Sequence, residues 1–214
     1  MFAEAWTYLA AHPRQFGAAL STHVALSAAA LAIAVALAVP VGIWVAESRR
    51  AAFMAVNAAN VGRTLPSLAV LALMMPLLGT GFAPALFALT LLALPPILIN
   101  TCTAIREVDP DVVDAARGMG MTALDLMRKV KLPIALPMIL AGIRTAAVQV
   151  ISGAVLASYI GGGGLGDFIT AGIAMMAVPL LLVGAIPATL LALAADFALG
   201  RLQQAVVPRG LRRA

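Results

Sequence analysis

Side chains able to do covalent or metal chemistry are sparse in this sequence. A single cysteine, Cys102, leaves no internal disulfide and no cysteine-rich metal site. Set in an apolar stretch, it reads as a small packed hydrophobe. The two histidines, His12 and His23, stand near the N-terminus with no carboxylate cluster beside them, and both are read as interfacial residues rather than ligands. No Gly-x-x-x-x-Gly-Lys-Ser/Thr segment occurs, and the run Gly161-Gly162-Gly163-Gly164-Leu165-Gly166 lacks the lysine that a phosphate cradle needs. No Ser/His/Asp or paired-carboxylate constellation lies outside the apolar blocks. The chain is expected to bind no cofactor or metal and to catalyse nothing itself.

What remains is electrostatic and mechanical, and it concentrates in residues 106–133, a polar island in an apolar sequence. Asp109-Pro110-Asp111 reads as a helix start: an aspartate caps, proline takes the first helical position, and acids favour the positive dipole end. The helix is predicted over residues 110–117, stopping at Gly118 in a left-handed cap. Thr122-Ala123-Leu124-Asp125 resembles a second capping box, opening a helix that ends by Pro133. The first helix carries Ala115, Ala116 and Gly118, all small. Such a helix can lie close against a partner's backbone and pass force to the flanking segments. An ordinary solvated loop would carry the same caps.

Two further features stand apart. Arg144 and Asp196 fall within apolar blocks, where charges pair or face a cavity, and they are expected to pair with each other. The segment Tyr159, Gly161, Gly162, Gly163, Gly164, Gly166 and Asp167 is too glycine-rich to continue a helix, so a turn or re-entrant element is expected there. It is a candidate gate or contact for a binding protein; a flexible turn is the plainer alternative. Tyr159 either lines a path or packs at the interface.

The elements that must position these residues are membrane spans. Hydrophobic residues make up 63% of the chain and charged residues 11%, with a mean hydropathy of +1.03. A soluble domain carries roughly 25% charged residues. Residues 15–46, 64–105, 145–166 and 168–195 contain no Asp, Glu, Lys or Arg, and about 20 apolar residues suffice for one crossing. Outer-membrane barrels are excluded, because runs such as residues 25–34 show no period-two alternation. An all-α bundle of five spans is predicted, near residues 23–45, 65–78, 85–105, 134–160 and 177–199. The second is short as drawn and could begin earlier, with Arg63 snorkelling to the interface; Pro95-Pro96 should kink the third. Residues 1–22 read as an interfacial segment with Trp6 and Tyr8 at headgroup level, and no cleavable signal is expected.

With the N-terminus outside, twelve cations fall inside, including Arg63 at the boundary and Arg209, Arg212 and Arg213 in a basic tail over residues 201–214. Only Arg14 falls outside, and Arg144 lies within a span. The positive-inside rule therefore places the C-terminus and the polar island in the cytoplasm. The net charge of +5, which would suggest nucleic acid in a soluble protein, is explained by topology. The tail could also touch anionic lipid.

The island also carries a spacing. Asp114-Ala115-Ala116, three residues, Gly120, nine residues, Val130, one residue and Leu132-Pro133 resembles the EAA loop of binding-protein-dependent ABC importer permeases. That pattern is Glu-Ala-Ala, three residues, Gly, nine, Ile, one, Leu-Pro, so Asp114 and Val130 depart conservatively and the other five positions agree. Further segments resemble permeases of the osmoprotectant branch, which imports glycine betaine, carnitine, choline and related quaternary ammonium compounds. They are Arg63-Thr64-Leu65-Pro66-Ser67-Leu68-Ala69, Val108-Asp109-Pro110, Arg117-Gly118-Met119-Gly120-Met121-Thr122, Ala141-Gly142-Ile143-Arg144-Thr145 and Tyr159 through Asp167. The likeness runs from about residue 23 to 210.

The resemblance implies a type I importer core in a bacterial inner membrane. Asp109, Pro110, Asp114, Ala115, Ala116, Gly118, Gly120, Leu132 and Pro133 would then couple to a separate ATP-binding cassette subunit. It further implies a second permease, identical or paralogous, and a separate substrate-binding protein, periplasmic or lipid-anchored. An importer for methionine or another amino acid shares the loop and the five-span core. A secondary transporter would show coupling acids in mid-span and an internal repeat, and neither is seen. A non-transporting assembly protein would need no ATPase.

Overall fold

A computed structural model describes residues 1–206; residues 207–214, with Arg209, Arg212 and Arg213 of the expected tail, lie outside the described residues. Helices α1 (Phe2–Ala11), α2 (Pro13–Ala46), α3 (Arg49–Arg63), α4 (Ser67–Leu78) and α5 (Phe82–Arg106) come first. They are followed by α6 (Pro110–Gly118), α7 (Ala123–Leu126), α8 (Leu132–Gly153), α9 (Gly166–Ala174) and α10 (Val178–Val206). The chain is all-α. Four stretches are long and apolar enough to cross a membrane among the described residues, or five if the bent pair α3–α4 is one span.

The core is built from small residues at helical spacing. Leu26, Ala30, Ala34 and Ala38 form one buried face of α2, which meets Ala85, Leu89, Ala93 and Ile97 of α5. Ala146 and Val150 of α8 close the same cluster. Lipid is as apolar as leucine, so helices in a bilayer gain by close backbone approach rather than by leaving solvent. Gly142 shows how close: a Cβ there would fall 2.7 Å from Asn100 Cβ and 2.9 Å from the Pro96 carbonyl oxygen of α5. α5 stays helical through Pro95 and Pro96, and Asn100 Nδ2 donates to the Pro96 carbonyl at 2.7 Å.

The second crossing differs from the sequence expectation of a span over residues 65–78. α4 has 12 residues, about 18 Å of helix, which is shorter than a hydrocarbon core of about 30 Å. It completes a crossing only with α3, from which it is bent by 93°. Proline explains the bend: Pro66 has no N–H to continue α3 and itself sits extended at the start of α4 (φ −61°, ψ 126°). Arg63 moves accordingly. It was expected to reach the cytoplasmic boundary, but it shares a cavity lining with Leu92 and Pro95, which lie midway along α5. Without it the charge tally behind the expected orientation is eleven cations against one.

Three other expectations shift. α2 begins at Pro13 rather than near residue 23, which carries His23 well inside the helix; its side chain is 1% exposed instead of interfacial. The second island helix does not end by Pro133. After α7 a π-helical turn, Met127–Lys131, runs straight into α8. The Leu132 N–H donates to the Met127 carbonyl five residues back, and this wider turn absorbs Pro133 near the start of α8. Finally, the expected tail starts inside α10, where Arg201 stacks over Phe197 at 4.8 Å. Residues 1–22 form α1 and the first turns of α2, with Tyr8 stacked on His12 at 4.4 Å and facing Phe168 edge-on at 6.3 Å.

Candidate coupling surface and its counterpart

At one end of the bundle, α6 is shaped by its caps. Asp109 accepts the Asp111 N–H at 2.9 Å, Pro110 opens the first turn, and Arg117 stands in the last turn. Asp114 and Arg117 pair across one turn at 3.6 Å, both well exposed. Gly118 is the last helical residue and not the left-handed cap expected of it. That conformation belongs to Gly120 (φ 78°), where the chain reverses while the Met121 N–H reaches back to the Ala116 carbonyl. A side chain at positive φ is strained, so the fixed glycine of the motif is the one that makes the turn.

α7 keeps the N-cap half of the expected capping box, with the return bond going to the hydroxyl instead of the Thr122 N–H. Thr122 Oγ1 accepts the Asp125 N–H at 3.2 Å and donates to Asp125 Oδ2 at 2.8 Å. The Lys129 ammonium, 2.6 Å away, and the Thr122 hydroxyl hold the Asp125 carboxyl below the usual carboxylate range. With a depressed pKa, this contribution is complete above the ordinary carboxylate pKa and fades as pH falls through the lowered value.

Around this tip the candidate residues divide. Asp114, Ala115, Gly118 and Gly120 are exposed, while Ala116 is buried and anchors the underside of α6. Val112, Met119 and Leu124 also stand exposed there, large apolar side chains on a polar segment. Sequence reasoning passed over them, although apolar residues on a helix otherwise bearing charge were the signal. Leu132 and Pro133 lie apart, at the root where the π turn enters α8. The root is tied to the end of α2, where Lys131 Nζ lies 3.2 Å from Glu47 Oε1; beside it the end of α5 is tied to the same place, Arg106 Nη1 donating to the Ala46 carbonyl at 3.3 Å. From α7 the helix runs without a break through the π turn into α8, while α6 is set off from it by the turn at Gly120, and the Lys131–Glu47 pair joins the root to the end of α2.

At the opposite end the glycine run is a packed turn. Gly161, Gly163 and Gly164 adopt positive φ, which glycine alone accepts readily. Gly162, Gly164, Leu165 and Gly166 are buried, and the Gly81 N–H donates to the Ile160 carbonyl at 2.7 Å, joining the α4–α5 turn to it. Gly164 sits on His23, where a Cβ would be 3.2 Å from Nδ1. His23 Nε2 donates to the Ile151 carbonyl at 3.0 Å, so Nδ1 carries the bare lone pair, and it has no partner among the described residues. Of the candidates here, Tyr159, Gly161 and Asp167 are the exposed ones.

Between the two ends, Arg144 of α8 and Asp196 of α10 meet in a bidentate pair, Nε to Oδ1 and Nη2 to Oδ2. Gln203 Nε2 donates to the Pro137 carbonyl at 2.8 Å, a second tie between the same helices.

Residues 38–211 match the family described as "Binding-protein-dependent transport system inner membrane component". The chain is 46% identical over 192 residues to the carnitine transport permease protein OpuCB of Listeria monocytogenes, covering 90% of this chain and 88% of that one. It is 41% identical over 191 residues to the choline transport system permease protein OpuBB of Bacillus subtilis (strain 168), covering 89% and 88%. In fold it resembles an inward-facing structure of the MetNI methionine ABC transporter, with a TM-score of 0.80 at 22% identity over 92% of this chain and 99% of that one. This multi-pass helical bundle, matched over most of its length, belongs to the family of binding-protein-dependent transport system inner membrane components.

Proposed function

We propose that this chain is the permease subunit of an ATP-driven importer for quaternary ammonium osmoprotectants such as glycine betaine, carnitine or choline. The observation that carries the reading is its identity with carnitine and choline permeases along nearly all of its length. The likeness to the methionine transporter is one of fold and favours no amino acid.

Two permeases would enclose the pathway, each taking an ATP-binding cassette subunit on α6, with a separate binding protein delivering substrate at the other end. The N-terminus would lie outside and the α6 end in the cytoplasm. ATP-driven closure of the cassettes would push α6 and, through the root at Leu132 and Pro133, tilt α8 against α2 and α5. ATP and loaded binding protein would both favour the outward-open arrangement, since each binds it better. Tyr159, Gly161 and Asp167 would meet the binding protein, and the buried glycines would hold that turn. Arg144 and Asp196 would fix α10 to α8.

The test is uptake into vesicles holding the permease and its ATPase, with the binding protein outside. ATP-dependent uptake of labelled glycine betaine, carnitine or choline, without methionine uptake, is expected. Methionine uptake in place of all three would overturn the reading.

A further inference from the structure

The bend between α3 and α4 places a charge where the sequence has no counter-charge to offer. Arg63 ends α3, the segment 63–66 is exposed, and the apolar chain that follows, residues 64–105, contains no Asp or Glu. α8, packed alongside, has none either, and Arg63 enters no ion pair among the described residues. Its height is fixed by its neighbours, because the cavity it lines is also lined by Leu92 and Pro95 at the middle of α5 and by Gln149 and Ser152 of α8.

An arginine at that depth is costly against lipid, so such a residue faces water or an anion. This one faces a cavity of about 570 Å³ whose polar groups are Arg63, Ser67, Gln149 and Ser152. Small-ligand sites commonly fall between about 300 and 1,000 Å³ and carry a few convergent polar groups on an apolar wall. The wall here has no aromatic side chain and no acid, so nothing in it is suited to a trimethylammonium group. The guanidinium fork is suited to a carboxylate, which it takes bidentately.

We propose that Arg63, with Gln149 and Ser152, forms a station halfway along the pathway that binds the carboxylate end of a zwitterionic substrate. The inference rests on the transport function proposed above. It divides the osmoprotectants by chemistry. Glycine betaine and carnitine carry a carboxylate for Arg63 to hold, whereas choline presents a cation and a hydroxyl and gains nothing from the charge.

The experiment compares glycine betaine and choline uptake in vesicles containing the complete transporter, with the binding protein unaltered. Arg63→Gln should lower glycine betaine uptake about tenfold or more, the scale of one lost hydrogen bond to a charged group, while choline uptake stays level or rises. Gln149→Leu, which leaves every charge in place, should shift the same ratio in the same direction and reads the station even if Arg63→Gln fails to assemble. If the wild type moves both compounds and the variants reduce them equally or not at all, the station is overturned and the transport function stands. If the wild type moves neither, the transport function fails, and the station fails with it.

Discussion

Arg144 and Asp196 stand 52 residues apart and meet as a planar fork on a carboxylate, a geometry that lysine could not reproduce. Removing either partner leaves the other charged in an apolar region, so the single variants should be worse than the exchange. Arg144→Ala and Asp196→Ala are each expected to lower the unfolding midpoint of the purified permease, with Arg144→Asp/Asp196→Arg recovering part of the loss. Equal midpoints for all four proteins would contradict a pair that joins α8 to α10. This partnership was legible from the sequence, because two charges isolated in apolar blocks have few alternatives. The burial of His23 was not, since the glycine turn covering it lies some 140 residues further along the chain. Arg63 misled for a different reason: a long side chain at the edge of an apolar block reads as one that snorkels, and only the bend at Pro66 shows where it goes.

Among the elements, the helices that cross were readable because absence of charge over twenty residues admits little else, and the starts of α6 and α7 were readable from their capping side chains. The π turn left no such mark. Its cause is one proline whose effect depends on how residues 127–131 are wound, and neither periodicity nor composition records that. The close approach of α5 and α8 rests on Gly142, where one added carbon would fall 2.9 Å from the Pro96 carbonyl oxygen of α5. Gly142→Ala should therefore destabilise the bundle by about 1–3 kcal/mol, as overpacking does, measured as a shift in the unfolding transition in mixed micelles. A midpoint unchanged from wild type would show that α5 and α8 do not approach this closely.

At the level of the whole molecule, the two ends of the bundle differ in kind. One end presents the capped helix α6 with exposed Val112, Met119 and Leu124 and a root paired to the end of α2; the other presents a largely buried glycine turn. The family membership explains the asymmetry if the α6 end meets a motor and the turn end meets a delivery protein. Ala115 tests this most directly, because its side chain is exposed on α6. Ala115→Trp should leave the unfolding midpoint of the permease unchanged while blocking close approach of a partner's backbone. Co-purification of the ATPase with the wild-type permease but not with Ala115→Trp is the predicted result; an equal yield of ATPase with both would contradict coupling through α6.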